Sequence, residues 1–165
     1  MALIDLLTDE FGHEARTTRP HLERLPNDKL DWRPHRKSFT AGGLGSHIVE
    51  CVGWAESICL ADEFVFDPAT FVPFAATSVD ELLQAFDDRV ARGAAVLSRV
   101  SDAELARPWR LVMRGRVRVE KPKAAVFRDF TLSHLIHHRG QLSVYLRLLD
   151  VPVPGSYGPT ADEGA

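Results

Sequence analysis

From about Ala124 to Leu149 the chain carries Phe127, Phe130, Leu135, Leu142, Leu146 and Leu149 at helical spacing. Asp150, Pro152 and Pro154 end the run. A helix of that length reaches about 40 Å. Its apolar stripe must be buried against another element, and with the other long helices of this 165-residue chain it makes a four-helix bundle the economical architecture. The same run holds His134, His137 and His138, three of the seven histidines. His134 and His138 are four apart, so they stand one above the other on one face, Cβ atoms roughly 5–6 Å apart. Two imidazoles so placed can converge on a divalent metal with nitrogen at about 2.0–2.1 Å. Zinc proteases that use this spacing carry Glu after the first His, and Leu135 stands there instead. Two ligands do not make a site, and a third must come from another part of the chain.

The other long helices are legible. Ile4, Leu7, Phe11, Glu14, Ala15, Thr18 and Leu22 predict a first helix over about 2–24, stopped by Pro26 and Asn27. Residues 25–39 hold two prolines and a Trp with no sustained period, and read as an ordered loop. Thr40 caps a second helix whose stripe is Ala41, Leu44, Ile48, Cys51, Val52, Ala55 and Ile58. Gly42, Gly43 and Gly45 weaken its first turn and leave room for a close neighbour, helix or ligand.

Residues 62–77 form a long connection with four phenylalanines, expected to pack down. It is long enough that helices two and three need not be antiparallel neighbours. Ser78-Val79-Asp80-Glu81 is a capping-box pattern opening an amphipathic third helix to about Leu97. A second box, Ser101 to Glu104, starts a short turn that Pro108 ends. Trp109 to Val119 alternates around Arg114-Gly115-Arg116 and suits a small hairpin. The expectation is one domain over 1–165: an all-α four-helix bundle with that hairpin before helix four.

The formal net charge of −3 supplies no field that favours nucleic acid or an anionic membrane. No apolar run approaches the roughly 20 residues of a membrane helix. The N-terminus lacks a basic leader and turns acidic at Asp9, so a cytoplasmic protein is expected. Cys51 and Cys59 on one helix are about 12 Å apart along its axis, beyond a disulfide, and read as free buried thiols. Seven basic residues between Arg107 and Lys123 (with one acid, Glu120) are either a solvated face or a contact for an anionic ligand.

Four histidines lie outside helix four. His35 is in the loop, His13 is off the stripe of helix one, and His21 is at its edge. His47 shares the core-facing stripe of helix two with Leu44 and Cys51. Alone it reads as a satisfied core histidine. Opposite helix four it becomes the third imidazole, and three imidazoles with an open position are the arrangement of a reactive metal site. Cys51, one turn on, is a possible fourth ligand. His137 is on the neighbouring face and reads as exposed or as support.

Four blocks in order now carry a resemblance. They are Leu25-Pro26-Asn27-Asp28-Lys29-Leu30-Asp31-Trp32-Arg33-Pro34-His35, then Phe39 through Leu44-Gly45-Ser46-His47, then His134-Leu135-Ile136-His137-His138-Arg139-Gly140-Gln141, and Leu149 through Pro159. Together they resemble the DinB-like (damage-inducible) family of metal-dependent four-helix-bundle proteins, which is distinct from the polymerase of that name. The resemblance implies an up-down-down-up bundle with a long crossover between helices two and three. It implies nickel or zinc on three histidines, falling here on His47, His134 and His138, and it implies homodimers. Related members use low-molecular-weight thiols, as S-transferases or isomerases.

Three functions are therefore weighed. A thiol S-transferase in stress or detoxification would bind the thiol at the open metal position and lower its pKa. Arg139 and the 107–123 stretch would then hold carboxylates or serve structure. Gln141 would orient a ligand or pack, and Tyr145 would reach the pocket or the core. A hydrolase would need a general base, for which Glu50 and Glu14 are the candidates. A non-catalytic metal- or ligand-binding stress module is the third. No nucleic-acid motif and no membrane segment is read.

Overall fold

The computed structural model describes residues 2–163. The helices are α1 (Leu3–Glu23), α2 (Ala41–Leu60), α3 (Val79–Leu97), the short α4 (Asp102–Leu105), and a final stretch made of α5 (Lys123–Val126), a π-helical segment (Phe127–Ser133) and α6 (His134–Leu148). Three strands, β1 (Glu63–Phe66), β2 (Pro108–Met113) and β3 (Arg116–Pro122), complete it.

The caps act where the sequence places them. Thr40 Oγ1 accepts from Gly43 N, Ser78 Oγ from Glu81 N and Ser101 Oγ from Glu104 N. Each satisfies one of the backbone donors that a helix start leaves orphaned. The 25–40 loop serves the start of α2 as well: Ala41 N and Gly42 N donate to the carbonyls of Trp32 and Leu30.

Two expectations need correction. The chain is mostly helical, not all-α, because the hairpin is joined by a third strand. β2 and β3 pair antiparallel, with Arg114 and Gly115 turning at φ of 51° and 68°. β1 pairs parallel to β2, with Glu63 opposite Arg110. Periodicity missed β1 because four residues are too few for a pattern, and their pairing partner lies more than forty residues on. The second correction is inside the last helix, where the Phe127–Ser133 turns are π-helical. An α-helix advances about 100° per residue. An added residue in a turn therefore changes which side chains share a face with those further on.

α2 packs most extensively on α3, so the long connection returns the chain to a neighbour. A Cβ on Gly45 would meet Leu82 at 3.0 Å, and one on Gly53 would meet Arg89 at 3.2 Å. Residue numbers ascend together along this contact, so α2 and α3 run the same way. Between α1 and α3 they run oppositely: Phe11 meets Gly93, and Arg19 pairs with Asp87. Between α2 and the last helix they also run oppositely, His47 against His134 and Trp54 against Phe130.

The core between them holds Leu7, Phe11, Leu44, Ile48, Leu82, Phe86, Phe127, Leu135 and Leu142, all buried. Gly93 shows how close the helices come, because a Cβ there would lie 2.8 Å from Phe11 Cζ and 3.2 Å from Ala55 Cβ. Gly93→Ala is expected to cost about 1–3 kcal/mol through overpacking. This would outweigh the helix-propensity gain of up to about 1 kcal/mol. A denaturation midpoint equal to or above the parent's would refute that tightness.

Part of the basic stretch, Arg107, Lys121 and Lys123, is spent on structure. Arg107 pairs with Asp62 and Glu104, and Lys121 pairs with Asp129 at 2.7 Å. The buried Lys123 pairs with Glu104 at 2.6 Å and donates to the Cys59 carbonyl. Among the described residues no helix is long and apolar enough to cross a membrane.

Candidate metal centre

The stripe of α2 and the first turns of α6 face each other, and that contact brings His47, His134 and His138 together. Their ring centroids are 5.0 Å (47–134), 4.6 Å (47–138) and 4.7 Å (134–138) apart. His47 Nε2 lies 3.3 Å from His134 Nε2. Cys51, one turn along α2, joins them: ligand atoms of His47, Cys51 and His134 lie within 4.8 Å of one another. This His/Cys/His group can bind a metal ion. His138 stands beside it.

Neighbouring groups fix which ring nitrogen carries the proton. His47 Nδ1 is 3.0 Å from Glu50 Oε2, so it donates to the carboxylate and leaves Nε2 with its lone pair. His138 Nδ1 donates to Gln141 Oε1 at 2.7 Å, with the same result. His134 hydrogen-bonds the Phe130 carbonyl one turn back. Burial lowers its pKa, helped by the charges of His47 and His137 and opposed by that hydrogen bond. Burial also pushes His138 down to about 4, against the Gln141 bond. Neutral imidazoles with inward lone pairs are the form that binds a metal. The donor set is therefore the right chemistry for a borderline cation such as zinc or nickel.

Cys51 is buried, and burial with the nearby Glu50 charge pushes its thiol up to about 12. It is a thiol, not a thiolate, unless a cation draws off the proton. Burial would also raise the Glu50 carboxyl, yet the hydrogen bonds from His47 and from Phe74 N hold it below its ordinary value.

Other candidates fall elsewhere. His137 is exposed and touches the Gln141 amide. His21 is fully buried in α1 with Nδ1 donating to the Thr17 carbonyl. His13 stacks on Tyr157, and His35 accepts from Lys37 N. Tyr145 serves the core: its hydroxyl donates to the Phe39 carbonyl, and its ring meets Trp32 edge-on.

Arg139 does not reach for a ligand. It is buried, donates to Glu14 Oε2 at 2.6 Å and Thr18 Oγ1 at 3.2 Å, and binds the Tyr157 hydroxyl at 2.7 Å. Glu14 is buried in the same network, so neither residue is available to the cleft as a carboxylate clamp or a general base.

His47 and His134 open onto a cleft of about 1020 Å³. Its walls include Trp54, Phe64, Phe66, Phe71, Phe74 and Phe130. The phenylalanines of the long connection thus form a half-exposed aromatic wall rather than packing fully down. Trp54 meets Phe64 edge-on at 4.8 Å, and Phe66 meets Phe71 at 5.1 Å. Arg89 and Arg92 of α3 also line it. Neither arginine stands out in the sequence, because a charged residue on an amphipathic helix reads as solvated face.

A helical bundle with a small sheet and an imidazole-rich donor cluster between two of its helices is the class that fold and site define. The model of the DinB family matches residues 4–165, and the chain belongs to that family. Its sequence is 26% identical over 166 residues to the uncharacterized protein YrdA of Bacillus subtilis strain 168, covering 98% of this chain and 92% of YrdA. The fold is shared with two solved DinB-like proteins. One is YjoA of Bacillus subtilis, with TM-score 0.67, 18% identity and coverage of 97% of this chain and 99% of that one. The other is from Bacillus cereus ATCC 10987, with TM-score 0.69, 21% identity and coverage of 92% and 95%.

Proposed function

We propose that the protein is a divalent-metal-dependent enzyme of the thiol S-transferase type, acting in stress or detoxification, with nickel or zinc held by His47, His134 and His138. The observation that carries this reading is the convergence of three imidazoles, two of which, His47 and His134, border a large aromatic cleft. A metal bound there would favour the thiolate form of a small thiol entering from the cleft. The protein's own part is positional. Glu50 and Gln141 keep the two imidazoles in one tautomer, and the aromatic wall excludes water around an apolar electrophile. The hydrolase reading has less support, because both Glu50 oxygens are engaged and Glu14 is paired to Arg139. The bundle order belonging to this reading is up-down-down-up, supported by the opposed and shared helix directions above. A homodimer also belongs to it, to be measured by sedimentation.

Titration with a panel of small thiols tests the reaction class, followed by the absorption spectrum of the cobalt- or nickel-substituted protein. A thiolate-to-metal charge-transfer band with one thiol is expected. Silence with every thiol, with turnover of activated esters in their absence, would replace the transferase by a hydrolase. Gln141→Leu is expected to weaken metal binding about 10–100-fold, the usual cost of removing a residue that orients a ligand. Competition against a chromophoric chelator measures it, and unchanged affinity would reduce Gln141 to packing.

A further inference from the structure

Four charged side chains line the cleft: Glu50, Glu56, Arg89 and Arg92. Three are already engaged. Arg92 pairs with Glu56 at 3.2 Å, and Glu50 holds His47 and Phe74 N. Arg89 is left over. It is half-buried, and among the described residues its guanidinium makes no hydrogen bond or ion pair. It lies over the Phe74 ring, 4.9 Å from the centroid. It also approaches α2 where Gly53 has no side chain: a Cβ there would meet Arg89 Cδ at 3.2 Å and Nε at 3.6 Å. Burial disfavours its charged form most, the Glu50 charge favours it, and the Arg92 charge opposes it. A planar cation set against a glycine and an aromatic ring, with its donors unspent, is a preformed seat for a carboxylate.

We propose that this cleft binds an organic carboxylate with an aromatic body, its carboxylate on Arg89 and its ring against Phe64, Phe66 and Phe74. The inference deepens the reading of the cleft as the substrate side of the metal centre, and its binding determinants are separate from the metal ligands. Flat rings suit the wall, where neighbouring aromatics already meet edge-on. The charge supplies orientation: it fixes one end of the ligand at α3 and leaves the remainder lying toward His47 and His134.

The probes are 2-naphthoate and its neutral methyl ester, titrated calorimetrically into the full chain, with and without EDTA. Wild-type protein is expected to bind naphthoate more tightly than the ester in both conditions. Arg89→Met keeps an unbranched stem over Gly53 and Phe74 but removes the charge. It is expected to weaken naphthoate about 10–100-fold and leave the ester unchanged, the span of a charge-assisted hydrogen bond. Arg89→Lys should recover part of the loss, and Arg92→Met should change little. Circular dichroism and the melting temperature check that each variant is folded. Equal naphthoate affinity in Arg89→Met, or no binding by wild type, overturns the proposal. Binding that disappears with EDTA also overturns it, because the carboxylate would then sit on the metal. Naphthoate binding that depends on Arg89 in a protein that holds no metal would sustain this inference while sinking the metal-dependent function.

Discussion

Replacing His134 by alanine is expected to reduce the metal content of protein purified without a histidine tag from about one ion per chain to a small fraction, with the bundle still folded. Losing a ligand should cost more than the 10–100-fold lost with a residue that merely orients one. The fold should survive because His134 is half-buried at the edge of a cleft, and its removal opens no sealed cavity. His47→Ala should behave the same way. The comparison between His138→Ala and Cys51→Ala is the decisive one. The donors of His47, Cys51 and His134 are mutually close, and the three imidazole rings form a nearly equilateral triangle. The three-histidine site predicts that His138→Ala loses metal and Cys51→Ala retains it. Elemental analysis of dialysed protein reads both, and the reverse result would replace His138 by Cys51. A metal-free native protein would remove the proposed function altogether.

Arg139→Met is expected to produce the largest loss of stability, about 3–5 kcal/mol, because it leaves Glu14 buried without its counter-charge. The side chains of Arg139 and Glu14 are only 2% and 5% exposed, so water cannot take over. The same change removes the donor to the Tyr157 hydroxyl, which itself donates to Glu14. Stability in domains of this kind totals about 5–15 kcal/mol, so the variant loses a large share of it. At about 2–4 °C per kcal/mol for this chain length, the melting temperature should fall by roughly 10 °C. Pairing it with Glu14→Leu should recover part of the loss, since replacing both ions removes the uncompensated charge. An unchanged melting temperature in Arg139→Met would show that the network contributes nothing. Arg139 follows His138 directly, so the pair to α1 also holds the rotation of α6 that turns His138 inward. Weakened metal binding is expected alongside the lost stability.

The long helices and their caps were legible because each rests on local chemistry. Thr40, Ser78 and Ser101 cap the helices they precede, and Gly115 turns the hairpin. His134 and His138 were legible as a pair because helical geometry alone puts them on one face. Gln141 was legible as a candidate orienter for the same reason, since it lies three residues from His138 on that helix. Arg139 was legible only in kind: a cation beside a candidate site reads first as solvated or structural and second as a ligand clamp, and nothing local names its partner. Its partner, Glu14, is 125 residues away. β1 and the aromatic wall were missed for a related reason. Four phenylalanines in a connection show that it must pack, but not that they leave a cleft between themselves and α2.

By itself the sequence determined the helices, their ends, the family and the residue types able to ligate a metal, because these depend on spacing within a few turns. Only the tertiary structure decided that His47 meets His134, that Cys51 lies within their reach, that Glu14 consumes Arg139, and that Arg89 is, among the described residues, the cleft cation without an ion pair. Each of those depends on which faces of separate helices are pressed together, and packing across the bundle sets that, not any local rule.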